Sequence, residues 1–311
     1  MAYRFGANES LSDGFARISG ELLDEAIAQL SENIRVDPVD AVHEARKAIK
    51  KERALLRLMR GSVPRHHRRR EDRALRDAGR QLSEVRDAEV MLETFESLAK
   101  RYGALLPRHT FDQLRIHFER GPDWQHSKLA LRSAAEGAGD DLTDIRVRMG
   151  DWRLRTEGWQ ALEPGIERIY RAGRQAWRGA DTDRSLETWH EWRKRVKDLW
   201  YQQRLLAEVG GPSVQGQAQD LDKLADLLGE DHDLGVLRAK LNDDPIPAPA
   251  DLAAVTGAID FRRAELQVEA LSLGARIYAE KTPVFVDRMG QLWNAGRGHA
   301  VIERLMQDRS K

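Results

Sequence analysis

The sequence contains no cysteine, which rules out disulfides, thiolate metal sites and a thiol nucleophile together and fits a reducing compartment. It also lacks net charge: 51 Lys plus Arg balance 51 Asp plus Glu. The chain as a whole therefore has no field to draw it to nucleic acid or a membrane, and any anion site must come from local segregation of charge. No stretch reaches the roughly 18 apolar residues that a membrane span needs, and the first ten residues hold no apolar signal core, so the expectation is a soluble, cytoplasmic protein without membrane contact. Aromatics are scarce at 6% while charged residues make up 33%. That balance favours amphipathic helices over alternating strands, and 311 residues suffice for one large or two medium domains of an all-α class.

Start and stop signals divide the chain into helices. Ser10 or Ser12 caps a first helix to about Ile34, carrying Leu11, Phe15, Ile18, Leu22 and Leu30 at helical spacing. Asp37-Pro38 starts a second, to about Arg60, since Asp caps free N–H groups and Pro is harmless at the first helical position. Further helices are expected over about 65–82, 87–102 and 107–135. The glycines and acids between Gly137 and Asp151 read as a loop between two halves, 1–150 and 151–311. In the second half, helices are expected over about 159–179, 185–209, 213–228, 233–241, 252–280 and 284–294, with Pro245, Pro247 and Pro249 in a connector.

The second half repeats the first. Val42-His43-Glu44-Ala45-Arg46-Lys47-Ala48-Ile49-Lys50 matches Trp189-His190-Glu191-Trp192-Arg193-Lys194-Arg195-Val196-Lys197 at an offset of 147 residues, and Arg57 matches Arg204. Leu82-Ser83-Glu84-Val85-Arg86-Asp87 matches Leu228-Gly229-Glu230-Asp231-His232-Asp233 at 146, and Gly14 to Ile18 resembles Gly165 to Ile169. A shared pattern at nearly constant offset implies shared geometry.

On a helix, His43, Arg46, Lys47, Lys50, Arg53 and Arg57 fall within an arc of roughly 120°, with Glu44 and Glu52 outside it. His190, Arg193, Lys194, Lys197 and Arg204 copy the arc. Local acids are therefore not expected to neutralise either stripe, and like charges one turn apart repel. One such stripe reads most simply as a solvated helix face; its duplication makes it a candidate site for an anion that is itself a regular row of phosphates. His43 and His190 add a possible charge switch, with the surrounding cations favouring the neutral form. Arg168, Arg171 and Arg174 share a helix face and, with Arg17, Arg53 and Arg86, are candidate extensions of the surface. The run Arg65, Arg68, Arg69, Arg70 reads as a solvated loop end. Asp87 and Asp233 are expected to cap helices that start after Arg86 and His232.

The paired His-Glu-x-x-Arg-Lys-x-x-x-Lys helices and the duplicated Leu-x-x-x-Arg-Asp type turn resemble the CHAD family, the histidine α-helical domain, over roughly 10–293. The resemblance implies two four-helix-type bundles related by a pseudo-twofold axis, together forming one domain, with a basic surface and pore between them that binds inorganic polyphosphate. It implies binding through His43, Arg46, Lys47, Lys50, Arg57 and their counterparts His190, Arg193, Lys194, Lys197, Arg204. It also implies an association with polyphosphate granules, and polyphosphate-metabolising enzymes as candidate partners. Two departures stand out: no triphosphate-processing domain accompanies the repeat, which argues against an enzyme, and His232 stands where the second copy usually has Arg.

Rival chemistry finds less support. A zincin-like metal site needs a second His four residues on, where Lys47 and Lys194 stand, so no metal and no cofactor is expected. Phosphoryl transfer would want Mg²⁺-binding acids or a glycine-rich phosphate loop near the stripes, and neither is evident; a histidine phosphoryl acceptor is the lesser variant. Nucleic acid is the main alternative, since phosphate contacts alone do not separate it from polyphosphate, and Trp189, Trp192, Trp200 and Tyr201 are candidate stacking residues.

Overall fold

The first helices begin where capping chemistry places them. The Ser10 hydroxyl accepts from the Asp13 N–H at 3.0 Å at the head of α1 (Leu11–Ser31). Glu157 brings a second carboxylate to this positive helix end, accepting from the N–H groups of Leu11 and Ser12 at 3.0 and 3.1 Å. Asp37 accepts from Val39 and Asp40, and Pro38 opens α2 (Pro38–Leu58).

A computed structural model describes residues 3–82, 84–103, 112–116, 122–243 and 249–308, with backbone alone at 84–89, 122–130, 249–251 and 301–308. Beyond α2 it contains α3 (Arg65–Gln81), α4 (Glu84–Tyr102), α5 (Pro122–Gly150), α6 (Trp159–Thr182), α7 (Leu186–Asp243), α8 (Pro249–Ile277) and α9 (Thr282–Asp308). The fold is all-α, and the described residues include no strand. Gly211, at φ 69°, breaks α7 into limbs 186–210 and 212–243, and Pro212 opens the second limb, where a missing N–H costs little.

Two expected breaks are absent. The loop expected between Gly137 and Asp151 is helix as far as Gly150, because Leu131, Ala135, Ala138, Leu142, Ile145 and Met149 keep helical spacing and are all buried. The irregular connection is 151–158, ending at Gly158 with φ 70°. Likewise α7 runs unbroken through Leu228–Asp233, carried by buried Leu224, Leu228, Leu234, Leu237 and Leu241, so Asp233 caps no helix. The first-copy counterpart, Arg86-Asp87, falls where side chains lie outside the described residues, as does the expected start of a helix near 107.

The main core draws on both halves, with Phe15, Leu22, Leu55, Leu142, Ile166, Trp192, Leu205, Tyr278 and Phe285 among its members. A Cβ at Gly165 would lie 2.2 Å from the Leu58 carbonyl oxygen, so α6 crosses the end of α2 at backbone contact. The two repeated helices, α2 and the first limb of α7, pack against each other, and Gln202 Nε2 donates to the Ala54 carbonyl at 3.4 Å. A smaller core of Phe95, Leu98, Leu114, Leu234, Leu237, Leu241, Val255 and Ile259 fixes α4 against the second limb of α7 and α8. That arrangement suspends α4 beside α2 and leaves a cavity between the two cores.

Candidate functional site

The basic stripe of α2 divides along its length. Arg46 and Lys50 face the cavity, and Arg46 Nη1 also donates to the Gly79 carbonyl at 3.5 Å. Lys47 turns aside to Glu44 at 3.0 Å, and His43 Nε2 lies 3.7 Å from the same carboxylate. Arg53 and Arg57 contact Asp72 at 3.0 and 3.4 Å, and Arg57 binds both oxygens of Asp198 at 2.5 and 2.6 Å. Burial works against the Arg57 charge, but Asp198 and Asp72 outweigh it and raise its pKa. Arg57 is thus a lock between the repeated helices, from α2 to α7.

The α7 copy divides in a related way. His190, Arg193 and Lys197 line the cavity, while Lys194 pairs with Glu191 at 2.5 Å and Arg195 pairs with the same residue. The expectation that local acids leave both stripes uncompensated therefore fails: Glu44 and Glu191 reach Lys47 and Lys194 at i,i+3, a spacing the angular argument undervalued because long side chains lean along the helix. Arg204 sits outside the cavity, over the rings of Trp200 and Tyr3 at 5.0 and 5.6 Å. Lys197 also lies 4.5 Å from the Trp200 ring.

The cavity has a volume of about 1060 Å³ and brings the two copies onto one wall system. Lys100 and Arg101 of α4 and Arg262 of α8 add cations that sequence reasoning missed, because they belong to no repeated motif. Glu93, Asp226, Glu230 and Asp233 also line it, so carboxylates do stand near the stripes, contrary to expectation; Glu230 is held by Arg262 at 2.6 Å. Among the described residues no three His, Asp or Glu side chains converge as a metal site would need. Desolvation, then Arg193, lowers the pKa of Lys197. Desolvation, then Arg204 and Lys47, lowers that of Lys51, another cation the repeat did not mark.

His190 and His232 lie with ring centroids 4.3 Å apart on the cavity wall. Desolvation, then Lys194 and Arg193, lowers the His190 pKa; desolvation, then Arg193, His190 and Arg263, brings His232 down to about 4. Both rings are neutral near pH 7, and each has a buried Nδ1 without a hydrogen-bond partner. The other candidate extensions disperse. Arg17 is held by Glu9 at 2.6 Å, Arg171 pairs with Glu167, and Arg174 donates to the Tyr278 carbonyl at 3.1 Å. The Arg86 side chain lies outside the described residues.

The chain is thus an all-helical domain whose repeated motif converges on one cation-rich cavity. A model of the CHAD domain matches residues 21–242, and the chain belongs to that family. The crystal structure of the CHAD domain from the plant Ricinus communis superposes with a TM-score of 0.62, at 18% identity, covering 90% of this chain and 96% of that one. At that identity the likeness speaks for the fold. No curated protein matches the sequence significantly.

Proposed function

We propose that the cavity binds inorganic polyphosphate, and that the protein serves as a binding component of polyphosphate granules in the cytoplasm rather than as an enzyme. The observation that carries this reading is the meeting of Arg46 and Lys50 from one copy with His190, Arg193 and Lys197 from the other around a single cavity. Membership of the CHAD family supports the same ligand class. The depressed pKa of Lys197 reflects cations held together at a desolvated wall, and a polyanion threaded between them relieves that cost.

The aromatic residues favour polyphosphate over single-stranded nucleic acid. Trp189, Trp192 and Tyr201 are buried in the core, and the Trp200 ring is flanked by Lys197 and Arg204, so none of these four stacking candidates offers an open shelf for a base. Polyphosphate-metabolising enzymes are the partner class this reading proposes, recruited through the shared polymer.

Isothermal titration of long-chain polyphosphate into the protein and into Lys50→Ala/Lys197→Ala tests the reading, with single-stranded and duplex DNA as controls at physiological salt. The double variant is expected to lose at least about tenfold in polyphosphate affinity, given two charge-assisted contacts. Equal affinity for DNA, or an unaffected variant, would overturn it.

A further inference from the structure

The arginine run at 65–70 reads as a loop end in the sequence, yet it forms the first six residues of α3. Pro64 precedes them and supplies no side-chain cap, so the positive end of the helix has no acceptor from its own N-cap. Arg68 is only 7% exposed, and its Nε is buried without a hydrogen-bond partner. Burying a guanidinium N–H without an acceptor is costly.

Other arginines converge on the same place. Arg60 lies in the short turn Met59–Gly61 that closes α2, and Arg168 lies on α6, which packs directly on that turn. A Cβ on Gly61 would meet the Ala161 and Gln160 carbonyl oxygens at 2.9 Å, which leaves no slack between the two elements. Burial, then Arg168, Arg68, Arg69 and Arg65, holds the Arg60 pKa down; burial, then Arg69, Arg168 and Arg65, opposes the charge of Arg68. Asp72 is the acid that acts on Arg68, and it is already engaged by Arg53 and Arg57 at 3.0 and 3.4 Å. Glu71, the next carboxylate along α3, is held by Arg70 and Arg148 at 2.7 and 2.9 Å. Among the described residues, none of Arg60, Arg65, Arg68, Arg69 and Arg168 has a carboxylate in ion-pair contact.

We propose that Arg60, Arg65, Arg68, Arg69 and Arg168 form a second anion site, at the start of α3, that takes the phosphoryl oxygens of an oligophosphate. The planar guanidinium fork matches such oxygens in pairs, and the helix terminus adds N–H donors of the same sign. Ten residues of helix and turn, about 15 Å, separate Arg60 from Lys50, and of the cations between them Arg53 and Arg57 are neutralised by Asp72 and Asp198 while Lys51 lies over the Tyr3 ring. The site stands on residues that the cavity does not use, so it does not depend on the cavity reading. Its anion is either a free short oligophosphate or one end of a long chain.

The test is calorimetric titration of tripolyphosphate and of long-chain polyphosphate into four proteins: wild type, Lys50→Ala/Lys197→Ala, Arg65→Ala/Arg168→Ala, and the quadruple variant. Arg65 and Arg168 are both exposed, and removing them relieves repulsion, so thermal stability without ligand is expected to hold or rise. The cavity variant is expected to keep tripolyphosphate binding that the quadruple variant loses by at least about tenfold. A weakened long-chain affinity in Arg65→Ala/Arg168→Ala identifies one polymer reaching both sites; an effect on tripolyphosphate alone identifies a free short anion. Tripolyphosphate affinity equal in the cavity and quadruple variants, or absent from the cavity variant, overturns the proposal. Loss of binding in the arginine variant together with an unchanged cavity variant would instead keep this site and discard the cavity reading.

Discussion

Arg57 shows how residues of one type on one helix face part company. Its sequence position makes it a ligand candidate, but Asp198 reaches it from the other copy, a pairing 141 residues apart in the chain that periodicity within one helix does not reveal. Asp198→Ala is therefore expected to cost about 3 kcal/mol in urea unfolding, the usual penalty for stranding one member of a buried pair. An unchanged midpoint would show that the pair holds nothing together. Glu52 teaches a related lesson: its angle away from the stripe is legible, but its burial against Ser19, whose hydroxyl donates to it at 2.9 Å, is not. Desolvation raises the Glu52 pKa to about 7. A raised carboxyl pKa means that the folded state holds a proton the unfolded state has already released, so stability falls as pH rises from about 4.5 to about 7. Glu52→Gln removes that fall. Its stability relative to wild type should be greater at pH 8 than at pH 5, by on the order of 2 kcal/mol, and parallel pH profiles would contradict the assignment.

At the scale of helices, the sequence shows starts better than continuity. The caps at Ser10 and Asp37 and the break near Gly211 are local chemistry and could be read directly. The continuation of α5 through Gly137 and Gly139 could not, because it depends on tertiary neighbours: the Gly137 position faces the Gln81 side chain at 3.1 Å and the Gly139 position faces Leu30. Both glycines therefore mark neighbouring helices close by, not a loop. Gly165 is another such position, since any Cβ there collides with the backbone at Leu58. Gly165→Ala is expected to lower stability by about 1–3 kcal/mol, the range for overpacking a tight contact, and to lower the melting temperature accordingly. A neutral substitution would mean that α6 and α2 are not in backbone contact.

Over the whole molecule, zero net charge conceals strong local segregation. The repeat made part of the cavity wall legible: Arg46, Lys50, His190, Arg193 and Lys197 belong to its first motif, and Glu230, His232 and Asp233 to its second. Lys100, Arg101 and Arg262, with Glu93 and Asp226, stand outside the repeated motifs and reach the wall only through the tertiary fold. The paired imidazoles of His190 and His232, faced by Arg193, Lys194, Arg263 and Glu191, give this wall a pH dependence. Held neutral in the free protein, they are expected to gain protons if the proposed polyanion binds beside them and raises their pKa. Polyphosphate affinity should therefore rise as pH falls from about 7 towards 5, and His190→Ala/His232→Ala should flatten the profile. An identical pH dependence in that variant would remove the histidines from the binding event.

The proposed function requires that both copies act on one ligand in one cavity. A double-mutant cycle on Lys50 and Lys197, read as long-chain polyphosphate affinity and stoichiometry, tests it most directly. Each single substitution is expected to weaken the same binding event without changing stoichiometry, with effects that are not additive. Two independent events, each lost with one lysine and untouched by the other, would contradict it.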